Sequence, residues 1–180
     1  MSEKHLTIDE LEAGLGEIRQ APRDRGVLRL IVRRPRANER EVLEEAHLDP
    51  ARGLVGDTWE TRSRSGSAHP DTQLNIMNAR AIALVAQSPD RWALAGDQLY
   101  IDLDLSGDNL PPGTRVALGS AVIEVTEEPH TGCRKFAARF GIDAVKFVNS
   151  PEGKQLRLRG LNAKVVTPGV IRVGDIATKL

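Results

Sequence analysis

The chain has one cysteine, few aromatic residues and no net charge, and each shortage narrows the functions open to it. A lone thiol, Cys133, cannot form an internal disulfide. Free thiols persist best in a reducing compartment, so the cytoplasm is the expected location. Aromatic residues are 3% of the 180 positions, too few for a surface that stacks single-stranded bases. The 25 Lys and Arg are balanced by 25 Asp and Glu, which removes whole-chain attraction to nucleic acid or anionic membrane. No apolar run approaches the roughly 18 residues of a membrane span. The first five residues, Met-Ser-Glu-Lys-His, are followed by no apolar stretch of the kind a secretory signal needs. The four histidines, His5, His47, His69 and His130, include no close pair, so with one cysteine they offer no zinc-ligand spacing. G-x-S-x-G, P-loop and G-x-G-x-x-G patterns are missing, and serine-hydrolase, P-loop and Rossmann chemistry lose support with them.

What is present is a series of short apolar segments separated by Gly and Pro, in a length that suits one domain with its own core. Thr7-Ile8-Asp9-Glu10 is a capping-box pattern, and Ile8, Leu11, Leu15 and Ile18 follow at helical spacing. They predict an N-terminal helix of about three turns. Residues 26–32 read as a strand. Asn38 is expected to cap a short helix over 39–46, beside His47. Residues 53–57 form a turn, and the polar stretch 61–72 reads as a surface loop. Asn78 suits the cap of a helix ending near Ala86, and Pro89 the first position of another. Residues 98–105 alternate apolar and polar, as in a half-buried strand. Residues 115–126 form a hairpin about Gly119-Ser120. A second hairpin is expected over 162–173 about Pro168-Gly169, and a last strand follows Gly174-Asp175. One helical insertion falls near 133–148. The fold class is therefore mainly β with helical insertions, a barrel or strongly bent sheet rather than a doubly wound parallel one. The organisation read from this pattern is a helical segment at 1–25 and one domain at 26–180.

Cys133 carries the sharpest chemical signal. It lies in Glu127-Glu128-Pro129-His130-Thr131-Gly132-Cys133-Arg134-Lys135-Phe136, after a predicted strand and at the start of a predicted helix. A helix N-terminus and nearby cations favour the thiolate, the reactive form. Arg134 and Lys135 are adjacent, His130 can act as a base or as a cation, and Gly132 permits close approach of another molecule. The plain alternative is that Cys133 is a small buried hydrophobe. Arg159-Gly160 offers a guanidinium for an anionic ligand or, equally, for a structural ion pair. Asp57, Asp97 and Asp175 each follow a glycine and read as turn residues. The arginines between 19 and 40 form either a solvated edge or an anion-binding face.

Several ordered segments resemble the MOSC family, the domain found at the C-terminus of molybdenum-cofactor sulfurases. They are "RRPRANER" at 33–40, "GLVGDTW" at 53–59, "QLNIMNARAIALVA" at 73–86, "LAGDQL" at 94–99, "LPPGTRVALGSAVIEVTEEPHTGCRKFAARFG" at 110–141 and "RLRGLNAKVVTPGVIRVGDIA" at 157–177. The most specific stretch, "LGSAVIEVTEEPHTGC", ends on the family's signature cysteine, which falls on Cys133. The resemblance implies a mostly β domain similar to the pyruvate kinase β-barrel domain. It also implies molybdenum cofactor (molybdopterin) as a ligand, with Cys133 supplying a thiolate to the metal, or sulfur carriage with a persulfide on the same atom. The cofactor-binding reductases of the family add an N-terminal β-barrel that helps enclose the pterin. Residues 1–25 read here as a helix instead, so an incomplete enclosure, or one completed by a partner, is expected.

The leading expectation is reduction of N-hydroxylated small molecules at a molybdenum cofactor. Cys133 is the metal ligand and catalytic residue, His130 a catalytic neighbour, and Arg134 and Arg159 hold the pterin phosphate. A separate electron-donor protein is then required, since no flavin or haem motif is visible. The alternatives are a persulfide carrier served by a cysteine desulfurase, and a non-enzymatic scaffold that binds a small anion or a protein, with Cys133 buried. Nucleic-acid binding through the arginines of 19–40 is the weakest reading and predicts a steep salt dependence.

Overall fold

The computed structural model describes residues 4–180. The capping box forms as expected: the Thr7 hydroxyl accepts from the Glu10 amide, and the Glu10 carboxylate accepts from the Thr7 amide at 2.9 Å. The N-terminal helix is broken, however, into α1 (Ile8–Ala13) and α2 (Leu15–Arg19). Gly14 at the break packs against Leu84, whose side chain lies 2.6 Å from where a Cβ would stand. Close packing at that point, rather than propensity, sets the bend.

Strand β1 (Arg25–Arg33) follows. The helix expected over 39–46 is instead β2 (Glu41–Leu43) and the start of β3 (Glu45–Asp49). Ala46 and Leu48 are buried while Glu45 and His47 are exposed, a period of two that outweighs the local helical composition. Asn38 adopts a left-handed conformation before β2 rather than capping a helix. After β4 (Gly53–Leu54), part of the expected polar loop is helix α3 (Thr58–Arg64), because the Asp57 side chain caps it at the Trp59 amide and buried Trp59 anchors it. Strand β5 (Leu74–Asn78) leads into α4 (Ala79–Ala86), capped by Asn78 as expected, and a 3-10 segment at Pro89–Ala95 leads to β6 (Leu99–Asp102). Strand β6 is not half-exposed: Leu99 and Ile101 face one apolar cluster and Tyr100 another.

The hairpin of β7 (Arg115–Leu118) and β8 (Ala121–Val125) forms as expected. The helical insertion is three short helices, α5 (Arg134–Phe140), α6 (Ile142–Asn149) and α7 (Pro151–Leu156). The chain ends in β9 (Leu161–Thr167), β10 (Gly169–Arg172) and β11 (Ile176–Lys179). The second expected hairpin does not form. Strand β9 pairs with β5 and β8, while β10 crosses to pair with β3 in a small sheet of β10, β3 and β4. Pro168 removes an amide at the corner where the chain changes sheets.

Seven strands close a barrel in the order β1, β11, β7, β8, β9, β5, β6 and back to β1, with β2 added at one end of β1. Only the β5–β6 pairing is parallel. Closure is possible because the long β1 uses both edges, meeting β11 through Arg25 to Val27 and β6 through Val27 to Ile31, with a register shift between Leu28 and Leu30. Leu28, Ile31, Ile76, Ile101, Val116, Ile123 and Val165 belong to the core of the barrel. A second core packs α1, α2, α4, α5 and α6 on the outer faces of β5 and β6 through Leu11, Ile82, Met77, Tyr100, Phe136 and Phe147. The loop after β8 leads into α5, whose Phe136 and Phe140 join this second core.

Candidate functional site

A cleft of about 710 Å³ opens between the loop after β1, helix α3, the end of the 3-10 segment and the start of α5. Its walls include Arg34, Arg36, Arg40, Arg62, Lys135, Arg139 and Arg159, and among the described residues no Asp or Glu lines it. Cys133, His130, Asn75 and Phe136 also line it.

Cys133 is exposed and occupies the N-cap position of α5 in extended conformation, with no capping bond from its side chain. Partial burial pushes its thiol up. The amides of Phe136 and Lys135 and the charges of Arg159 and Lys135 act against that, and the net result lies below the ordinary thiol value. The reading of Cys133 as a buried hydrophobe is therefore corrected: the thiol meets solvent, and its surroundings favour the thiolate.

His130 and Arg159, both singled out from sequence, meet in a buried cluster around Asp97, which the sequence reading took for a turn residue. Asp97 is 0% exposed and accepts from Arg159 Nη1 at 2.6 Å, with His130 Nε2 at 3.3 Å. Burial pushes the Asp97 carboxyl up, but Arg159 and His130 outweigh it and hold it below the usual carboxylate range. An ionised carboxylate only accepts, so in this contact His130 Nε2 is the donor. Arg159 is 6% exposed and also donates to the Ala95 carbonyl at 2.9 Å, and its guanidinium lies 4.9 Å from the centre of the Phe136 ring. Its Nε has no partner among the described residues. Gly160, at φ 127°, makes the cluster possible. A Cβ there would stand 2.4 Å from the Ile76 carbonyl oxygen and about 3 Å from both His130 and Asp97. Tyr100 supports the cluster from below, accepting from the Asp97 amide and donating to the Trp92 carbonyl.

A second polar chain ties the cleft floor to the loop that carries His130. Arg34 holds Asp57 with Nε at 3.0 Å and Nη2 at 2.7 Å, a two-pronged pair, and donates from Nη1 to Asn75 and to the Gly96 carbonyl. Asn75 donates to Asn162 at 2.5 Å, and Asn162 donates to the carbonyls of Glu128 and Pro129. Further along the same loop, Asn149 clamps Gly132 from both sides, accepting from its amide at 2.9 Å and donating to its carbonyl at 3.1 Å. The cysteine is thus held by its neighbours' backbone rather than by its own side chain.

Of the residues singled out from sequence, Cys133, His130 and Arg159 share this cleft, while Arg134 is exposed and is not among its lining residues. Arg159 is a structural ion-pair partner and a cleft residue at once. Asp97 and Asp57 are ion-pair partners, not turn residues alone, whereas Asp175 does close a turn at the Arg172 amide. Of the other cations in the lining, Arg34, Arg36 and Arg40 belong to the stretch read as a solvated edge or an anion-binding face and Lys135 adjoins the cysteine in sequence, whereas nothing in a linear reading distinguishes Arg62 and Arg139 from solvated surface charge. His47 is exposed on β3, away from the cleft. No group of three or more His, Cys, Asp or Glu suited to a metal ion occurs among the described residues.

Residues 63–178, which carry β5 to β11 and the Cys133 loop, match the family model of the MOSC domain. The chain belongs to the MOSC domain family. Solved structures similar to this MOSC domain include the YuaD protein from Bacillus subtilis, with 16% identity, a TM-score of 0.58, and coverage of 86% of this chain and 96% of that one. YiiM from Escherichia coli has 18% identity and a TM-score of 0.55, over 86% and 69% of the two chains. YiiM from Geobacillus stearothermophilus has 13% identity and a TM-score of 0.52, over 86% and 73%. At these identities the likeness is one of fold. Curated proteins give no match. No described helix of this MOSC domain is long and apolar enough to cross a membrane.

Proposed function

We propose that this MOSC domain binds a molybdenum–pterin cofactor in the cationic cleft through the Cys133 thiolate and serves the reduction of N-hydroxylated small molecules. The observation that carries the reading is the chain's single cysteine, exposed and favoured as thiolate, in the wall of a cleft lined by cations and, among the described residues, by no carboxylate. The donor set fits such a group. A soft thiolate suits molybdenum, the arginines suit a phosphorylated pterin, and Arg159 Nε is a buried donor that still lacks an acceptor. When bound, the cofactor supplies the redox-active metal, and a separate protein supplies electrons.

The chain's own residues have three tasks in this reading. Asn149 fixes the Gly132 backbone and so the position of Cys133 Sγ. Asp97 anchors Arg159 under the cleft and keeps a proton on His130 Nε2. Arg159, 4.9 Å from the Phe136 ring, adds a fixed positive charge that favours the thiolate. The test is the molybdenum-to-protein ratio of wild type and Cys133→Ser, both purified without oxygen from a host that makes the cofactor. Near-stoichiometric metal in the wild type and loss in the variant is the expected result. Equal metal in both, or none in either, would remove the ligand role.

Exposure of the thiol favours a second reading, a persulfide carrier loaded by a cysteine desulfurase, since a protein donor must reach Sγ. A gain of one sulfur, about 32 Da, on Cys133 after incubation with a desulfurase and cysteine would support it. An unmodified, demonstrably free thiol would count against it.

A further inference from the structure

Two of the cleft's arginines are left without a counter-charge at one point. Arg40 follows the β1–β2 loop and Arg139 sits on α5, yet both guanidiniums lie against Gly96: Arg40 Nη2 and Arg139 Nη1 stand 3.2 and 3.8 Å from where a Cβ would be. Each is oriented by a backbone carbonyl at the end of the 3-10 segment, Arg40 Nε by Ala93 at 3.2 Å and Arg139 Nη1 by Leu94 at 2.7 Å. Arg40 Nη1 also reaches the Glu39 carbonyl. Carbonyls fix direction but bring no charge. Among the described residues, no carboxylate forms an ion pair with either arginine. The contrast with their neighbour is direct, because Arg34 meets the same Gly96 through its carbonyl and is neutralised by Asp57. Burial first, and then the nearby charges of Arg139 and Arg34, hold Arg40 below the usual guanidinium range against a smaller opposing pull from Asp57.

We infer that Arg40 and Arg139 form a cradle for a phosphate group beside Gly96, in the wall of the cleft. Two uncompensated guanidiniums match a dianion. A tetrahedral phosphate offers oxygens to both forks at once, whereas a carboxylate offers one charge and two oxygens. The donors not used on Ala93, Leu94 and Glu39 remain for it. The cradle deepens the reading of the cleft as a site for a phosphorylated ligand, and because phosphate binding is measured without a metal at Cys133, its failure is distinguishable from failure of the ligand role. It also differs from the sequence-based expectation for a phosphate, which put Arg134 and Arg159 in that role.

The test is a titration of inorganic phosphate into the cofactor-free protein at constant ionic strength, followed by phosphorus NMR and by the rise in melting temperature. The wild type is expected to bind saturably. Arg40→Gln and Arg139→Gln should each weaken binding about tenfold or more, as loss of a charge-assisted donor does. Arg134→Gln, at an exposed residue outside the lining, should bind as the wild type does. Arg40→Lys and Arg139→Lys keep the charge and lose the fork, and should also bind more weakly, which preserves the test if a glutamine variant does not fold. Absence of saturable binding, unchanged affinity in the two arginine variants, or an equal loss in Arg134→Gln would each overturn the cradle. Repeating the titration on protein loaded with phosphorylated pterin separates the sources. Loss of phosphate uptake assigns the cradle to the cofactor's own phosphate, and retained uptake assigns it to a phosphorylated substrate.

Discussion

Replacing Asp97 by Asn tests the buried cluster most directly. The carboxylate is fully buried, accepts from Arg159 at 2.6 Å and faces His130 at 3.3 Å. The amide is nearly the same size, so little packing changes, but the Arg159 charge loses its partner. Removing one member of a buried pair costs about 3–5 kcal/mol, because the other charge stays buried and uncompensated. That is a large share of the roughly 5–15 kcal/mol that holds a domain folded. Urea unfolding at pH 7 should therefore show a midpoint well below that of the wild type with the slope unchanged. The sign with pH follows from the direction of the Asp97 shift. Its folded pKa is lowered, so its contribution is fully present above the unfolded carboxylate value of about 3.9 and is lost as pH falls through the lower folded value. The stability gap between wild type and Asp97→Asn should be widest near neutrality and close in acid. A double variant that also carries Arg159→Gln should lose less than the two single losses together. A gap under about 1 kcal/mol at pH 7, the net worth of an ordinary hydrogen bond, or a gap that does not narrow in acid would refute the ion-pair account.

Three further predictions concern the cysteine loop and its supports. Alkylation of native Cys133 should reach half its plateau rate at a pH below the roughly 8.5 of a free cysteine, and a midpoint at or above that value would remove the thiolate reading. Asn149→Ala removes both bonds to Gly132, should cost about 1–3 kcal/mol through the unpaired backbone groups, and should change the alkylation rate of Cys133; an unchanged rate would show that the loop is held elsewhere. Gly160→Ala should destabilise strongly, since its φ of 127° and the Ile76 carbonyl leave no space for a methyl group, and a variant as stable as the wild type would contradict the packing described.

Much of the barrel was legible because its strands carry local signals. The hairpin at 115–126 shows alternation on both sides of a Gly-containing turn, and β7 and β8 pair as expected. Asn78 announces α4 through a local cap. What failed were features decided at a distance. The hairpin expected at 162–173 has the right turn residues, but β10 pairs with β3, more than 120 positions away, because β9 is already flanked by β5 and β8. The site divides the same way. Cys133 was visible from its basic, Gly-containing context, whereas Asp97 looked like a turn residue because its partner Arg159 lies 62 positions away.

The charge arrangement explains why the net charge of zero misleads about this cleft. Where an arginine lining the cleft is tied to a buried carboxylate, as in Arg34 with Asp57 and Arg159 with Asp97, the pair fixes the floor and the loop. Where it is tied only to carbonyls, as in Arg40 and Arg139, the orientation is fixed and the charge remains available. An acidic residue placed beside Arg40 would stabilise the empty protein and compete with any anionic ligand. The absence of Asp and Glu from the described lining is therefore the physical condition for anion binding in this cleft, while the matching negative charge lies elsewhere on the molecule. The same separation gives Cys133 its environment. A carboxylate in the lining would push the thiol up, and with none there the cations that suit a phosphate also favour the thiolate.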